Sequence, residues 1–96
     1  MANISDLIGN TPLVEIRNSV SKPGVKIFGK LEGQNPGGSV KDRAAYSMIK
    51  GALDRGELLP GMKLIEATSG NTGIALAMIA RLFGVEITLL MPDNST

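Results

Sequence analysis

Apolar and polar positions alternate in PLVEI (residues 12–16), the period of two expected of a strand with one buried face. KIFGKLE (residues 26–32) repeats the alternation around a glycine, and the NSVSKPGV between them has the composition of a turn-rich connection. Over residues 39–58 the pattern changes to a helical one that runs out near Gly56 and Pro60. KLIEA (residues 63–67) predicts a short strand, and a glycine-bearing turn follows it. IALAMIARLF (residues 74–83) is apolar nearly all round with Arg81 as its only charge, which predicts a helix buried on most sides. VEITLLM (residues 85–91) is a β-branched strand closed off by PDNST.

The order strand, helix, strand, helix, strand predicts an α/β fold: an open, mainly parallel sheet with flanking helices joined by right-handed crossovers. With the strands at 26–32 and 63–67 as parallel neighbours, both following loops emerge at the carboxyl edge of the sheet, where open α/β folds bind ligands. No repeat, low-complexity tract or linker divides residues 1–96, so they read as one unit. The sheet is expected to be incomplete, because no helix follows the last apolar strand to cover it.

Composition narrows the chemistry. With 43% hydrophobic and 20% charged residues the chain is globular. Ten Lys and Arg against nine Asp and Glu, without a basic block, point away from nucleic acid and membrane surfaces and toward a small-molecule partner. The N-terminus MANISDLIGN lacks a signal core, and a cytoplasmic location is expected. No Cys and no His removes the usual zinc constellations and the Ser/His/Asp and Cys/His nucleophile sets, so no metal site is expected. Acid, base or nucleophile work falls to Lys, Tyr46, Ser, Thr and the carboxylates.

One lysine stands out in NPGGSVKDR (residues 35–43). Ser39 with Asp42 three residues on predicts an N-cap and a helix from Val40, which puts Lys41 in the first turn. At about 100° per residue, Ala45, Met48 and Ala52 fall within roughly 40° of Lys41, while Arg43, Ser47, Lys50 and Asp54 gather opposite. Lys41 is therefore expected to head the buried stripe. An inward lysine at the positive end of a helix favours the neutral amine, the form that attacks an aldehyde or takes a proton from carbon. The alternative is that Lys41 snorkels past its neighbours to water.

TSGNTG (residues 68–73) supplies a second feature: hydroxyls on Thr68, Ser69 and Thr72 and an amide on Asn71, in front of a helix start whose free N–H groups suit a carboxylate or phosphate. The alternative is an ordinary turn in which Asn71 or Thr72 caps the helix. An amine and a carboxylate cradle on one crevice would suit an amino acid reacting on a carbonyl cofactor. Neither GQNPGGSVK nor TSGNTG has the spacing of a P-loop or of GxGxxG.

IGNTPLVEI, NPGGSVKDR and TSGNTGIALA together resemble the cysteine synthase (O-acetylserine sulfhydrylase) family of pyridoxal-phosphate enzymes, with the tryptophan synthase β-like fold. IEATSGNTGIALAMIA followed by LLMPDN is closer to the B type than to the A type. The resemblance covers essentially all of the chain and implies that residues 1–96 are an N-terminal portion, with the phosphate-binding loop and the residue facing the pyridine nitrogen lying beyond it. It implies that Lys41 holds pyridoxal 5'-phosphate as an internal aldimine and later removes the α-proton of the substrate. It also implies that Thr68, Ser69, Asn71 and Thr72 grip the substrate carboxylate, and that Asn71 bonds the cofactor's 3'-hydroxyl. The implied reaction is β-replacement on O-acetylserine, or a similarly activated serine, by sulfide or thiosulfate, in a homodimer when full-length.

Two other readings remain open at this point: a non-catalytic fragment that associates with itself or with a complementary part, and a phosphate- or nucleotide-binding module using the TSGNTG helix start. Tyr46 is read as a rim residue, Arg55 and Arg81 as solvated or ion-paired, and Met48, Met78 and Met91 as core.

Overall fold

The computed structural model describes residues 3–17, 22–68 and 70–93. Its elements follow the order read from the sequence: strands β1 (Leu13–Glu15) and β2 (Phe28–Lys30), helix α1 (Lys41–Asp54), strand β3 (Lys63–Ala67), helix α2 (Asn71–Leu82) and strand β4 (Glu86–Leu90). Short 3-10 turns occupy Ile4–Leu7 and Glu32–Gln34. No helix among the described residues is long and apolar enough to cross a membrane.

β3, α2 and β4 form a βαβ unit. The strands are parallel, in register from Lys63 opposite Glu86 to Ala67 opposite Leu90. Thr68 N–H continues the ladder onto the Leu90 carbonyl at 2.9 Å, so the turn after β3 leaves from a pinned strand end.

β2 departs from expectation. It does not join β3 but pairs antiparallel with β1, Leu13 opposite Lys30 and Glu15 opposite Phe28, in a separate two-stranded sheet. The ladder extends at both ends, with Ile16 N–H donating to Ile27 O (2.8 Å) and Leu31 N–H to Pro12 O (3.0 Å). A connection folding back through Pro23 and Gly24 lets consecutive strands satisfy each other locally, whereas a parallel partner needs a longer crossover.

The core lies between the two helices and the parallel strands. Ala45 and Ile49 of α1, Leu58, and Ala75, Leu76, Ile79 and Ala80 of α2 form one buried cluster. Alanines on both helices leave room for the close approach that lets Ile49 and Ile79 fill the seam. Tyr46 packs beside Phe83 with ring centroids 5.9 Å apart, on the edge of that cluster. Contrary to the all-round apolar pattern of α2, the helix is buried on one side only, and Ile74 and Leu82 face outward. Met78 packs against the core, but Met48 and Met91 are exposed rather than buried.

Candidate active site

The loop before α1 is built around Asp42. Its side chain is completely buried, and Oδ2 accepts the Gly37 N–H at 2.5 Å, five residues back. A Cβ on Gly37 would overlap this carboxylate, so the position has no room for a side chain. The next residue, Gly38, turns the chain with φ of 91°, a conformation that L side chains rarely adopt, and its N–H donates to Asn35 O at 2.8 Å. The two adjacent glycines of NPGGS thus meet different demands, close approach and backbone hand.

Capping also differs from the sequence expectation. The helix begins at Lys41, one residue later than predicted, with Val40 at the N-cap and no side-chain cap bond from it. Ser39 does contribute, since its Oγ accepts the Lys41 N–H at 3.2 Å. Asp42 reaches past Ser39 to Gly37 instead of closing a capping box. Asp42 Oδ1 has no hydrogen-bond partner among the described residues.

Lys41 itself is exposed. The buried stripe of α1 runs through Asp42, Ala45 and Ile49, so its centre is rotated from the stripe drawn through Lys41 and Met48. The physical reason is the buried carboxylate: Asp42 is held inside by a backbone N–H, and that fixes the phase of the first turn. Lys41 heads the neighbouring exposed line with Ala44 and Met48. Among the described residues its amine makes no hydrogen bond or ion pair.

Arg43, placed by the sequence on a solvated face, is the centre of a bonded cluster. Its Nε donates to Glu32 Oε1 at 2.7 Å and its Nη2 to Glu32 Oε2 at 3.2 Å and to Thr11 Oγ1 at 3.3 Å. Thr11 Oγ1 donates in turn to Glu32 Oε2 at 2.5 Å. Buried Asn35 donates to the Glu32 carbonyl (2.7 Å) and to Oε1 (3.0 Å), while its Oδ1 accepts the Gly9 N–H at 2.7 Å. Lys30 Nζ donates to the Thr11 carbonyl. The bond from Arg43, then that from Thr11, hold the Glu32 carboxyl down from its ordinary 4.5 to about 2, with Asn35 adding to the same effect.

The second predicted feature sits at the start of α2. Asn71 and Thr72 belong to its first turn, Asn71 exposed and Thr72 half-buried, and half-buried Thr68 ends the β3 ladder. Ser69 lies outside the described residues. Gly70 takes φ of 62° and ψ of −132° immediately before the helix. Gly73 is buried beneath Thr68, whose Cγ2 lies 3.0 Å from where a Cβ would stand. Lys41 and the TSGNTG turn are thus carried by helices that share one core, and among the described residues no hydrogen bond joins them.

Residues 4–96 match the family described as pyridoxal-phosphate dependent enzyme. The chain belongs to that family. Over 94 residues it is 61% identical to cysteine synthase B of Escherichia coli strain K12, and 47% identical to the O-acetylserine dependent cystathionine beta-synthase of Bacillus subtilis strain 168. Each match takes in 98% of this chain and 31% of the relative. The crystal structure of cysteine synthase (OASS) from Entamoeba histolytica superposes with a TM-score of 0.94 at 43% identity, covering 100% of this chain and 30% of that one. The α/β architecture is therefore that of the cysteine synthase structures, and the chain spans about a third of the length of the relatives it matches.

Pyridoxal phosphate carries an aldehyde that an amine can hold, and the residues here fit such a group. Lys41 offers an exposed amine at a helix start, with no hydrogen-bond or ion-pair partner among the described residues, and α2 opens with the exposed amide of Asn71 and the half-buried hydroxyl of Thr72. Sequence reasoning missed the Gly9, Thr11, Glu32, Asn35 and Arg43 cluster. The signal was present as opposite charges in KLEGQNP and KDR, but periodicity sent Arg43 to solvent and no pattern of spacing links it with Thr11.

Proposed function

We propose that the chain is the N-terminal portion of a cytoplasmic, homodimeric cysteine synthase of the B type, which replaces the acetyl-bearing oxygen of O-acetylserine, or a similarly activated serine, with sulfide or thiosulfate. The observation that carries this reading is the exposed amine of Lys41 at the first residue of α1, in a chain of the pyridoxal-phosphate-dependent family. The 61% identity to cysteine synthase B of Escherichia coli supports the B type.

Bound pyridoxal 5'-phosphate would supply the electron sink that makes loss of the α-proton and of the β-substituent feasible. Lys41 would hold the cofactor's aldehyde carbon and, once its amine is released, take the α-proton of the substrate at Nζ. Asn71 would bond the 3'-hydroxyl of the cofactor. The backbone N–H groups at the start of α2, with Thr68, Ser69, Asn71 and Thr72, would receive the substrate carboxylate. That arrangement fixes the amino acid by its charged end and leaves its β-carbon free for the incoming sulfur.

The test uses the full-length protein. Reduction with borohydride after adding the cofactor, followed by peptide mapping, is expected to place the adduct on Lys41, and Lys41→Ala to abolish both the adduct and turnover. Equal labelling of several surface lysines would overturn the site. Assays with O-acetylserine and either sulfide or thiosulfate then read the donor directly.

A further inference from the structure

Three consecutive residues divide the first turn of α1 between them. Lys41, Asp42 and Arg43 leave the helix about 100° apart. Lys41 points to solvent, Asp42 inward to Gly37 N–H, and Arg43 sideways to Glu32 and Thr11. A helix start is the end that frays, because its first N–H groups lack intrahelical partners. Here it is held on two sides, and the amine projects from the third.

The Arg43 attachment reaches far along the chain. Through Glu32 it holds the segment leaving β2, and through Thr11 the segment entering β1, 32 residues away. Asn35 links the Glu32 carboxylate to Gly9 N–H as well. A side chain at Gly9, whose φ of 78° already disfavours one, would push on the clamp, since its Cβ would come within 2.9 Å of the Arg43 guanidinium. The Glu32 and Arg43 side chains retain 22% and 41% of their exposure, and such pairs add little to stability. What the two-nitrogen, two-oxygen grip supplies is geometry, an angle that a single contact would leave loose.

We propose that the Arg43–Glu32 clamp is a positioning device for Lys41, fixing the first turn of α1 so that the amine stands where the cofactor's aldehyde must meet it. Neither residue touches reacting atoms. The proposal rests on the reading of Lys41 as the cofactor lysine.

The experiment compares full-length wild type with Arg43→Lys, Glu32→Gln, Arg43→Gln, the Glu32→Gln/Arg43→Gln double variant and Lys41→Ala. The apoenzyme is mixed with pyridoxal 5'-phosphate, and the rate at which borohydride-trapped adduct accumulates on Lys41 is followed by peptide mass. Circular dichroism and melting are measured in parallel. Positioning predicts that Arg43→Lys and Glu32→Gln slow attachment by about tenfold or more, since a displacement near 1 Å can cost up to about a hundredfold. Melting should move by only a few degrees, about 5 °C at most. kcat should fall with attachment while KM for O-acetylserine stays within about threefold, because the α2 turn is untouched. The double variant should be no slower than the worse single one, as expected of two halves of one grip.

Attachment at wild-type rate in Arg43→Lys and Glu32→Gln, or slowing that only tracks the loss of folded protein, overturns the clamp. If Arg43→Lys loses its native circular dichroism, Glu32→Gln decides, since it removes the carboxylate half of the grip: slowed attachment supports the proposal and a wild-type rate overturns it. Failure of the underlying reading looks different, because the adduct would then map to another lysine in the wild type and remain in Lys41→Ala.

Discussion

Gly37 and Asp42 show how one residue's size can set another's burial. A carboxyl group goes inside at a cost that hydrogen bonds offset, and here the donor is a backbone N–H that a side chain on Gly37 would displace. Gly37→Ala is expected to destabilise the fold by about 1–3 kcal/mol, the range for overpacking, read as a lower denaturant midpoint at unchanged slope. Gly38→Ala should cost about 1–2 kcal/mol through backbone strain, since no atom crowds its Cβ and only its φ of 91° is at issue. A Gly37→Ala protein with a wild-type midpoint would mean that the Asp42 contact is not formed in solution. The place of Lys41 in the first turn of a helix was legible because NPGGSVKDR sets loop residues directly before it. Its direction was not. The wheel takes its phase from Ala45, Met48 and Ala52, and at this turn the residue that goes inside is Asp42, which lies outside that stripe.

Helix α1 carries that phase shift along its length. Ile49 is 3% exposed and Met48 51%, although the sequence stripe through Lys41 ranks Met48 as the inward residue. Ile49→Ala is therefore expected to cost about 2–5 kcal/mol, while Met48→Ala stays within about 0.5 kcal/mol, both from urea unfolding. Equal losses would restore the other phase. The strands tell a similar story: residues 63–67 were read correctly as the short strand β3, but the partner of β2 depends on a connection whose path leaves no periodic trace. Where Arg43 joins α1 to the segment after β2, titration offers a check. The folded-state value of Glu32, about 2, lies below its ordinary 4.5, so its contribution is complete above about pH 4.5 and is lost as pH falls toward 2. The unfolding midpoint should drop across that window. Glu32→Gln should flatten the drop, while the slope due to other carboxylates, such as Glu57 held low by Arg55, remains.

At the scale of the whole molecule, the same 94-residue stretch is shared with a protein named cysteine synthase B and with one named O-acetylserine dependent cystathionine beta-synthase. The first name gives cysteine as the product and the second cystathionine, with O-acetylserine named in the second. Under the proposed reading, the amine on α1 and a carboxylate cradle on α2 would serve the steps that two such reactions have in common, and selection of the sulfur nucleophile would fall to residues outside this segment. The surface agrees with a segment that expects neighbours: Ile65 of β3 is 66% exposed, Leu90 of β4 56% and Phe28 of β2 54%, on sheets of only two strands each. Such faces and unpaired strand edges associate when nothing covers them. The 96-residue chain prepared alone is therefore expected to sediment as concentration-dependent oligomers, and Ile65→Glu to shift it toward monomer by placing a charge on the open face. If the isolated chain instead remains a folded monomer at concentrations of about 100 µM, well above the Kd of typical specific assemblies, these faces do not drive association. The segment would then be stable with its sheets uncovered, and the non-catalytic, self-associating reading would be excluded without touching the assignment of Lys41.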